Sequence, residues 1–395
     1  MHLPVAGKGE LLRLVALGHA ESRAELARHS GLAPSSVSLR VEELIDAGLL
    51  QEEGAGLSRG GRRPRRLKLA PEAGLLAIAD LGSHHARLGL VDLSGTPLAI
   101  VEHSCDIAAG AQVTLDWVGA RLEELVAAQG GGLPVRGVGI GVPGPVDPAD
   151  GTVISPSRMP GWNEYPVGTH LADRFGVPIL VENDANLMAA GEYLAWPGCE
   201  NLMVLKAGTG IGCGIIAGGR LHRGRGAAGD ISHVRVLADR SVMCSCGRSD
   251  CLEAYASGAA LISALAEQGI EVEHPSHIVA LAADGVPQAT NLVRGAGRLI
   301  GDVLTALVNF FNPDAVVIGG SLSAAEQLIA AIRGAVYERC LPLATRDLKI
   351  DVTRAGPNAA ILGAGSLLLD VVLAGAWVEE AVSRSASPVR SSPSS

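Results

Sequence analysis

The sequence predicts an α/β protein whose N-terminus carries a winged helix-turn-helix. Three observations predict it. Beyond residue 70, short apolar runs bounded by glycine alternate with segments of helical period, the pattern of buried strands under helices. Before residue 70, three short helical segments lead into a two-stranded ribbon. The charge also changes there. Residues 1–70 hold 11 Lys and Arg against 8 Asp and Glu, a charge of +3, whereas the other 325 residues hold 21 against 33, a charge of −12. The whole-chain value of −9 therefore averages two unlike parts.

Composition excludes several classes. With 48% hydrophobic residues and 51 glycines in no triplet period, the chain is neither collagen-like nor wholly disordered. Its 4 Trp, 4 Tyr and 3 Phe are too few for a protein that stacks bases or sugar rings on aromatic platforms. No run of about 18 uninterrupted apolar residues predicts a membrane span. Lys8, Glu10 and Arg13 break up the N-terminus where a signal peptide would be apolar. A cytoplasmic protein with no membrane partner is expected.

In the head, Leu11, Leu12, Leu14, Val15 and Leu17 predict a first helix from about Gly9 to His19. Ser22 and Glu25 form a capping box that opens a second helix, Arg23 to about His29. Ser30-Gly31-Leu32 makes the turn. Pro34 and Ser35 open a third helix with Val37, Val41, Leu44 and Ile45 inward and Ser35, Ser36, Ser38 and Arg40 on the other side. A strand after Gly48, a turn over 54–64 and a strand over 65–69 complete the wing. From Leu57 to Ala70 there are six basic residues and no acid. A small helical interaction domain with a solvated basic loop fits the same pattern. The arginines favour DNA, with the third helix in a major groove and Arg59, Arg62, Arg63 and Arg65 on phosphates or a narrow minor groove.

In the body, buried strands are predicted over 74–80, 135–142, 177–181, 202–206 and 315–319, and helices over 115–129, 186–193 and 297–311. The division expected is a DNA-binding domain over 1–70, a first lobe over 71–185 with a helix near 360–382 packing back onto it, a second lobe over 186–360, and a disordered polar tail over 383–395.

Three constellations carry chemistry. Cys244, Cys246 and Cys251, with His233 eleven residues before the first, form a Cys3His set suited to one structural Zn2+. Three buried free cysteines are the bland alternative. Asn183-Asp184 follows a buried strand, where α/β sheets bind ligands. These residues suit either a helix N-cap or hydrogen bonds to ligand hydroxyls, with Asp184 as a general base. Gly208, Thr209 and Gly210 lie in a glycine-rich turn, and Gly319-Gly320 follows a strand; backbone N–H groups there can face phosphates.

In order along the chain, Gly141-Val-Pro-Gly-Pro145, Pro160-Gly-Trp-Asn163, Glu182-Asn-Asp184, Gly208-Thr-Gly-Ile-Gly212, Gly229-Asp-Ile-Ser-His233, Cys244-Ser-Cys-Gly247, Cys251-Leu-Glu253 and Ile318-Gly-Gly-Ser321 resemble the ROK family of sugar kinases and sugar-responsive regulators. The resemblance covers about residues 71–382, and the added head is similar to that of the regulator branch, which includes xylose and N-acetylglucosamine repressors. It implies a two-lobed, actin-like ATPase fold with a sugar or sugar phosphate between the lobes. It further implies sugar contacts from Asn163, Asn183, Asp184, Asp230, His233 and Glu253, and a nucleotide site at Gly208, Thr209, Gly210, Gly319 and Gly320. Asp230 stands where the kinases usually carry Glu.

One departure separates this chain from the kinases. Their phosphate loop reads Asp-x-Gly-Gly-Thr; here it reads Asp80-Leu-Gly-Ser-His-His85, with Ser83 for the second glycine and His84 for the threonine. Phosphoryl transfer depends on positioning, so efficient use of ATP and Mg2+ is not expected. The expectation is a repressor of carbohydrate-utilisation genes rather than an enzyme, bound to a palindromic operator as a homodimer or homotetramer. The alternatives are an active sugar kinase fused to a DNA-binding head, with Asp184 as its base, and a DNA-binding protein whose body only dimerises.

Overall fold

The computed structural model of the chain describes residues 7–55, 65–374 and 376–385. The head consists of α1 (Lys8–Ala16), α2 (Arg23–Ser30), α3 (Pro34–Asp46), β1 (Leu50–Ala55) and β2 (Arg65–Leu69). Ser22 caps α2 by accepting the Glu25 N–H, while the Glu25 carboxylate accepts the Glu21 N–H. Gly31 ends α2 at φ 68°, a left-handed residue that turns the chain into α3. Leu11, Leu12, Leu26, Val37, Val41 and Leu44 are fully buried and join the three helices; Ile45 is only half-buried. β1 and β2 pair antiparallel, with Leu50 opposite Leu69. This is a winged helix-turn-helix.

Two sheets form the body. The first has β3 (Leu75–Leu81), β4 (His85–Asp92), β5 (Pro97–Ser104) and β6 (Val135–Val142), the last reached through α4 (Ala111–Gln129). After the small ribbon β7 (Val146–Asp147) and β8 (Thr152–Val153), α5 (Val167–Phe175) leads to β9 (Ile179–Asn183). The order is β5-β4-β3-β6-β9: an antiparallel meander extended by two parallel strands. Helix α6 (Asp184–Leu194) then crosses to the second sheet, built from β10 (Leu202–Ala207), β11 (Ile211–Ala217), β12 (Arg220–Leu221), β13 (Ala315–Gly319) and β14 (Lys349–Val352). Its order is β12-β11-β10-β13-β14. Helices α7 (Glu253–Ala256), α8 (Gly258–Ala266), α9 (Pro275–Ala283) and α10 (Pro287–Phe311) precede β13, and α11 (Glu326–Arg339) and α12 (Pro342–Thr345) precede β14. Strands β3 and β13 are buried along their whole length, so they read as continuous apolar runs.

The last helices, α13 (Ala359–Leu373) and α14 (Trp377–Ser385), tie the parts together. Helix α13 crosses α6 backbone to backbone: a Cβ on Gly363 would overlap the Leu187 carbonyl oxygen. Its C-terminal end meets the head, where a Cβ on Gly9 would overlap the Leu373 carbonyl oxygen. Arg13 pairs with Asp370 at 2.7 Å and Lys8 with Glu379 at 3.1 Å across the same junction. The buried core of the head and that of α13 are one continuous cluster. Among the described residues, segment 356–373 is long and apolar enough to cross a membrane by length and composition, but its apolar side chains pack into this cluster. The tail expected from 383 is helical as far as Ser385, and 386–395 lie outside the described residues.

Candidate ligand cleft, metal centre and nucleic-acid interface

The carboxyl ends of β3, β6 and β9 on one sheet and of β10 on the other open onto a single cavity of about 1490 Å³. Asn183 closes β9 and caps α6. Its Oδ1 accepts the N–H groups of Ala185 (3.0 Å) and Asn186 (3.2 Å), and its Nδ2 donates to the Gly144 carbonyl at 3.0 Å. The capping and cleft-lining readings therefore fall on the same residue, since Asn183 also lines the cavity. Asp184, the first residue of α6, is buried; its Oδ1 accepts the Ala185 N–H and its Oδ2 pairs with the Lys206 ammonium.

Glu253 faces them from the second sheet's side. Its Oε2 accepts the Ile211 N–H at 2.8 Å, and Arg158 Nε lies 3.1 Å from its Oε1. Burial raises the Glu253 pKa, opposed by the Arg158 charge and the Ile211 N–H. Asp230 is exposed at the rim, accepting from the Ser232 hydroxyl at 2.7 Å. His233 lines the cavity as well. Two expected residues do not line it. Asn163 is exposed beside the cavity, its Oδ1 accepting the N–H of the lining residue Ser155 at 2.7 Å, while the preceding Trp162 is buried with its ring N–H on Ile107 O. Gly319 is a buried strand residue packed near Met188, while Gly208, Thr209, Gly210 and Gly320 do face the cavity. Lys206 and Arg158 had no sign in the sequence, because each is defined by a partner from another element.

The Asp80–His85 loop is a tight β3–β4 turn. The Gly82 N–H donates to the His85 carbonyl at 2.8 Å, and the His85 ring lies directly against Gly82 where a Cβ would stand. The backbone that would approach a phosphate is thus covered by a side chain. Burial pulls the His85 pKa below its ordinary 6.5, and nearby Lys206 adds to the shift, so the ring is neutral near pH 7 and supplies no cation for a phosphate. The linkage has a definite sign. The unfolded chain binds a proton at about 6.5 that the folded ring refuses, so this contribution is present above pH 6.5 and is lost as pH falls through the folded value. A melting curve series from pH 7.5 to 5 should show a decline that His85→Gln reduces; equal declines in both proteins would contradict it.

In the metal centre, the ligand atoms of His233, Cys244, Cys246 and Cys251 all lie within 4.8 Å of one another. Cys244 Sγ is 3.7 Å from His233 Nδ1 and Cys246 Sγ is 3.6 Å from Cys251 Sγ. A tetrahedron of sulfurs around Zn2+ has edges of about 3.8 Å, so the donors already stand at the spacing of a closed site. The turn that carries them is set by the Cys244 N–H to Arg248 O bond and by Gly247 at φ 82°. With Nδ1 turned toward the sulfurs, Nε2 is the ring edge left for the cleft.

On the head, Ser35 is exposed at the start of α3, Ser36, Ser38 and Arg40 are half-exposed, and Leu39 between them is 60% exposed. Leu39 is a residue that a search for polar readers overlooks, yet an apolar side chain suits a thymine methyl. Arg59, Arg62 and Arg63 lie outside the described residues. Arg65 is paired with Glu52 at 2.6 Å, Arg66 with Glu21, and Lys68 with Glu53 at 2.5 Å. The three described basic residues of that stretch, Arg65, Arg66 and Lys68, are therefore each matched by an acid, two from β1 and one just before α2.

The family model described as "ROK family" matches residues 76–371, three quarters of the chain. The chain belongs to the ROK family. This ROK chain is 30% identical over 358 residues to the xylose repressor of Bacillus spizizenii, covering 88% of this chain and 91% of that one. It is 31% identical over 328 residues to a glucokinase of Streptomyces coelicolor, with 74% of this chain and 97% of the other covered. Among solved structures, a ROK family transcriptional regulator, a homologue of the E. coli MLC protein, superposes with a TM-score of 0.78 at 28% identity over 96% of this chain and 98% of that one. A Streptomyces griseus ROK glucokinase in complex with glucose and AMPPNP gives 0.65 at 31% identity over 74% and 99%. The match to the regulator takes in 96% of this chain, head included, whereas those to the kinases take in 74%.

Proposed function

We propose that this ROK protein is a sugar-responsive repressor that binds operator DNA through residues 1–70 and a sugar between lobes formed by residues 71–185 and 186–360. The observation that carries this reading is the asymmetry of the cleft. The side with Asn183, Asp184, His233 and Glu253 offers fixed hydrogen-bonding groups to sugar hydroxyls, while the phosphate loop is closed by His85. The xylose repressors among its relatives make xylose the first sugar to test. One Zn2+ per chain on His233, Cys244, Cys246 and Cys251 holds the segment that presents His233 and Glu253 to the sugar. Ser35, Ser36, Ser38 and Arg40, with Leu39 among them, and the wing arginines meet the operator, the chain acts as a homo-oligomer matched to a palindrome, and it works in the cytoplasm.

Sugar binding acts on DNA only to the extent that the sugar prefers one arrangement of the lobes and heads. Fluorescence anisotropy with a two-fold symmetric operator should therefore show a sugar-dependent change of about tenfold in affinity. A panel of pentoses, hexoses, N-acetylhexosamines and their phosphates that leaves the affinity unchanged would remove the switching role. A sugar kinase is the second reading, favoured by Gly208, Thr209 and Gly210 on the cavity wall. Sustained ADP release in a coupled assay over the same panel would establish it in place of the sensor.

A further inference from the structure

Lys206 stands on β10 at the floor of the cleft, and the sugar-sensing reading gives it no task. Its Nζ lies 2.5 Å from Asp184 Oδ2, with only 21% of the side chain exposed. Asp80, at the end of β3 on the other sheet, is 6% exposed, lines the same cavity, and has an Oδ1 with no hydrogen-bond partner. Asp184 has both oxygens engaged, one by the Ala185 N–H and one by the ammonium. Two carboxylates from different elements thus converge beside the 208–210 turn. Converging carboxylates next to a phosphate-facing turn suit a hard divalent cation bridging to a nucleotide. Here the chain places an ammonium of its own there.

We propose that Lys206 is a resident cation of the cleft: its ammonium, held by Asp184 and facing Asp80, excludes a divalent ion and with it a metal–nucleotide complex, so that ligand binding needs neither. The ammonium is a compact point charge, and a divalent ion on the same carboxylates would have to displace it against like-charge repulsion. Burial works to lower the Lys206 pKa, but the charges of Asp184 and Asp80 outweigh it and hold it above the ordinary 10.5, so the cation is permanent at any physiological pH. Burial lifts the Asp80 pKa, with the Lys206 charge acting against it. The inference deepens the sensor reading and rests on it only for the sugar measurement below.

The test uses the full chain and Mn2+ as the probe. Calorimetric titration with MnCl2, alone and with AMPPNP, should give no binding to the wild type. Lys206→Met should gain Mn2+ affinity by at least about tenfold, and Lys206→Arg should stay as silent as the wild type. Wild-type protein that binds Mn2+ as tightly as folded Lys206→Met, or a folded Lys206→Met that gains nothing, overturns the proposal. Should Lys206→Met not fold, the wild type decides: its D-xylose affinity should change by less than about twofold on adding Mg2+ and AMPPNP, and a change of about tenfold overturns the proposal. Absence of any sugar binding removes the sensor reading, while the Mn2+ titrations still decide the role of Lys206.

Discussion

Replacing Cys251 with serine is expected to remove the bound metal and cut ligand affinity of the cleft by about 100-fold, while the head stays folded. Between β12 and α7 the chain has two isolated bridges, Arg235 with Cys251 and Met243 with Ser249, and no helix or longer strand. Four donors converging from positions 233 to 251 are what such a segment has in place of a sheet ladder. Structural zinc binding contributes about 10–16 kcal/mol in small zinc-folded peptides, far above what two bridges supply. Without the ion the segment loses its closure, and with it the placement of His233 and of Glu253, whose Oε2 receives the Ile211 N–H. Elemental analysis should give one zinc per wild-type chain and none in Cys251→Ser, with a melting temperature lower by roughly 10 °C. A zinc-free wild type, or a serine variant with unchanged melting and ligand affinity, would refute the assignment.

Gly9→Val should leave operator affinity within about threefold and reduce the sugar effect on it from about tenfold to near none. The argument follows α13 from end to end. Ala359 and Ala360, its first residues, line the cleft; Gly363 rests on the backbone of α6, whose N-terminus carries Asn183 and Asp184; Leu373 at its far end touches Gly9 of the head. One rigid helix thus reaches from the ligand groups to the winged domain. A valine at position 9 has no space against the Leu373 carbonyl, so α1 must lift away. Overpacking of this kind costs about 1–3 kcal/mol. Leu26, Val37, Val41 and Leu44 remain buried between the head's own helices, and the head should still bind DNA. Asp370→Asn, which breaks only the Arg13 pair, should weaken the response partially. A Gly9→Val protein with the full sugar response would show that the signal takes another route.

Legibility in the sequence followed the range of the interactions. Strands β3, β6, β10 and β13 were readable because central parallel strands are buried on both faces and leave unbroken apolar runs. Strands β4 and β5 were not. In β4, Arg87 and Gly89 interrupt the run, and β5 is an edge strand with no buried residue, whose apolar run Leu98–Val101 is short and ends at Glu102. The metal set was readable because its ligands sit close together in the chain and the donor chemistry is specific. The candidate sugar-binding groups were readable only in part: Asn183, Asp184, His233 and Glu253 line one cavity, whereas Asn163 is exposed outside it and turned to the Ser155 N–H.

The sequence by itself determined the fold class, the contrast between a basic head and an acidic body, the Cys3His set and the departure from the kinase phosphate loop. All of these rest on periodicity, composition or short spacing, which the chain carries locally. Tertiary structure alone decided which charges meet. Strand pairing set Glu52 and Glu53 against Arg65 and Lys68, which the sequence shows only as part of an acid-free run. The joining of two sheets by α6 put Lys206 against Asp184, and the crossing of α13 tied the cleft to the head. Each of these contacts joins residues from different elements. Of these, the Lys206–Asp184 pair is buried, and removal of water from between its charges, which only the assembled fold provides, strengthens it.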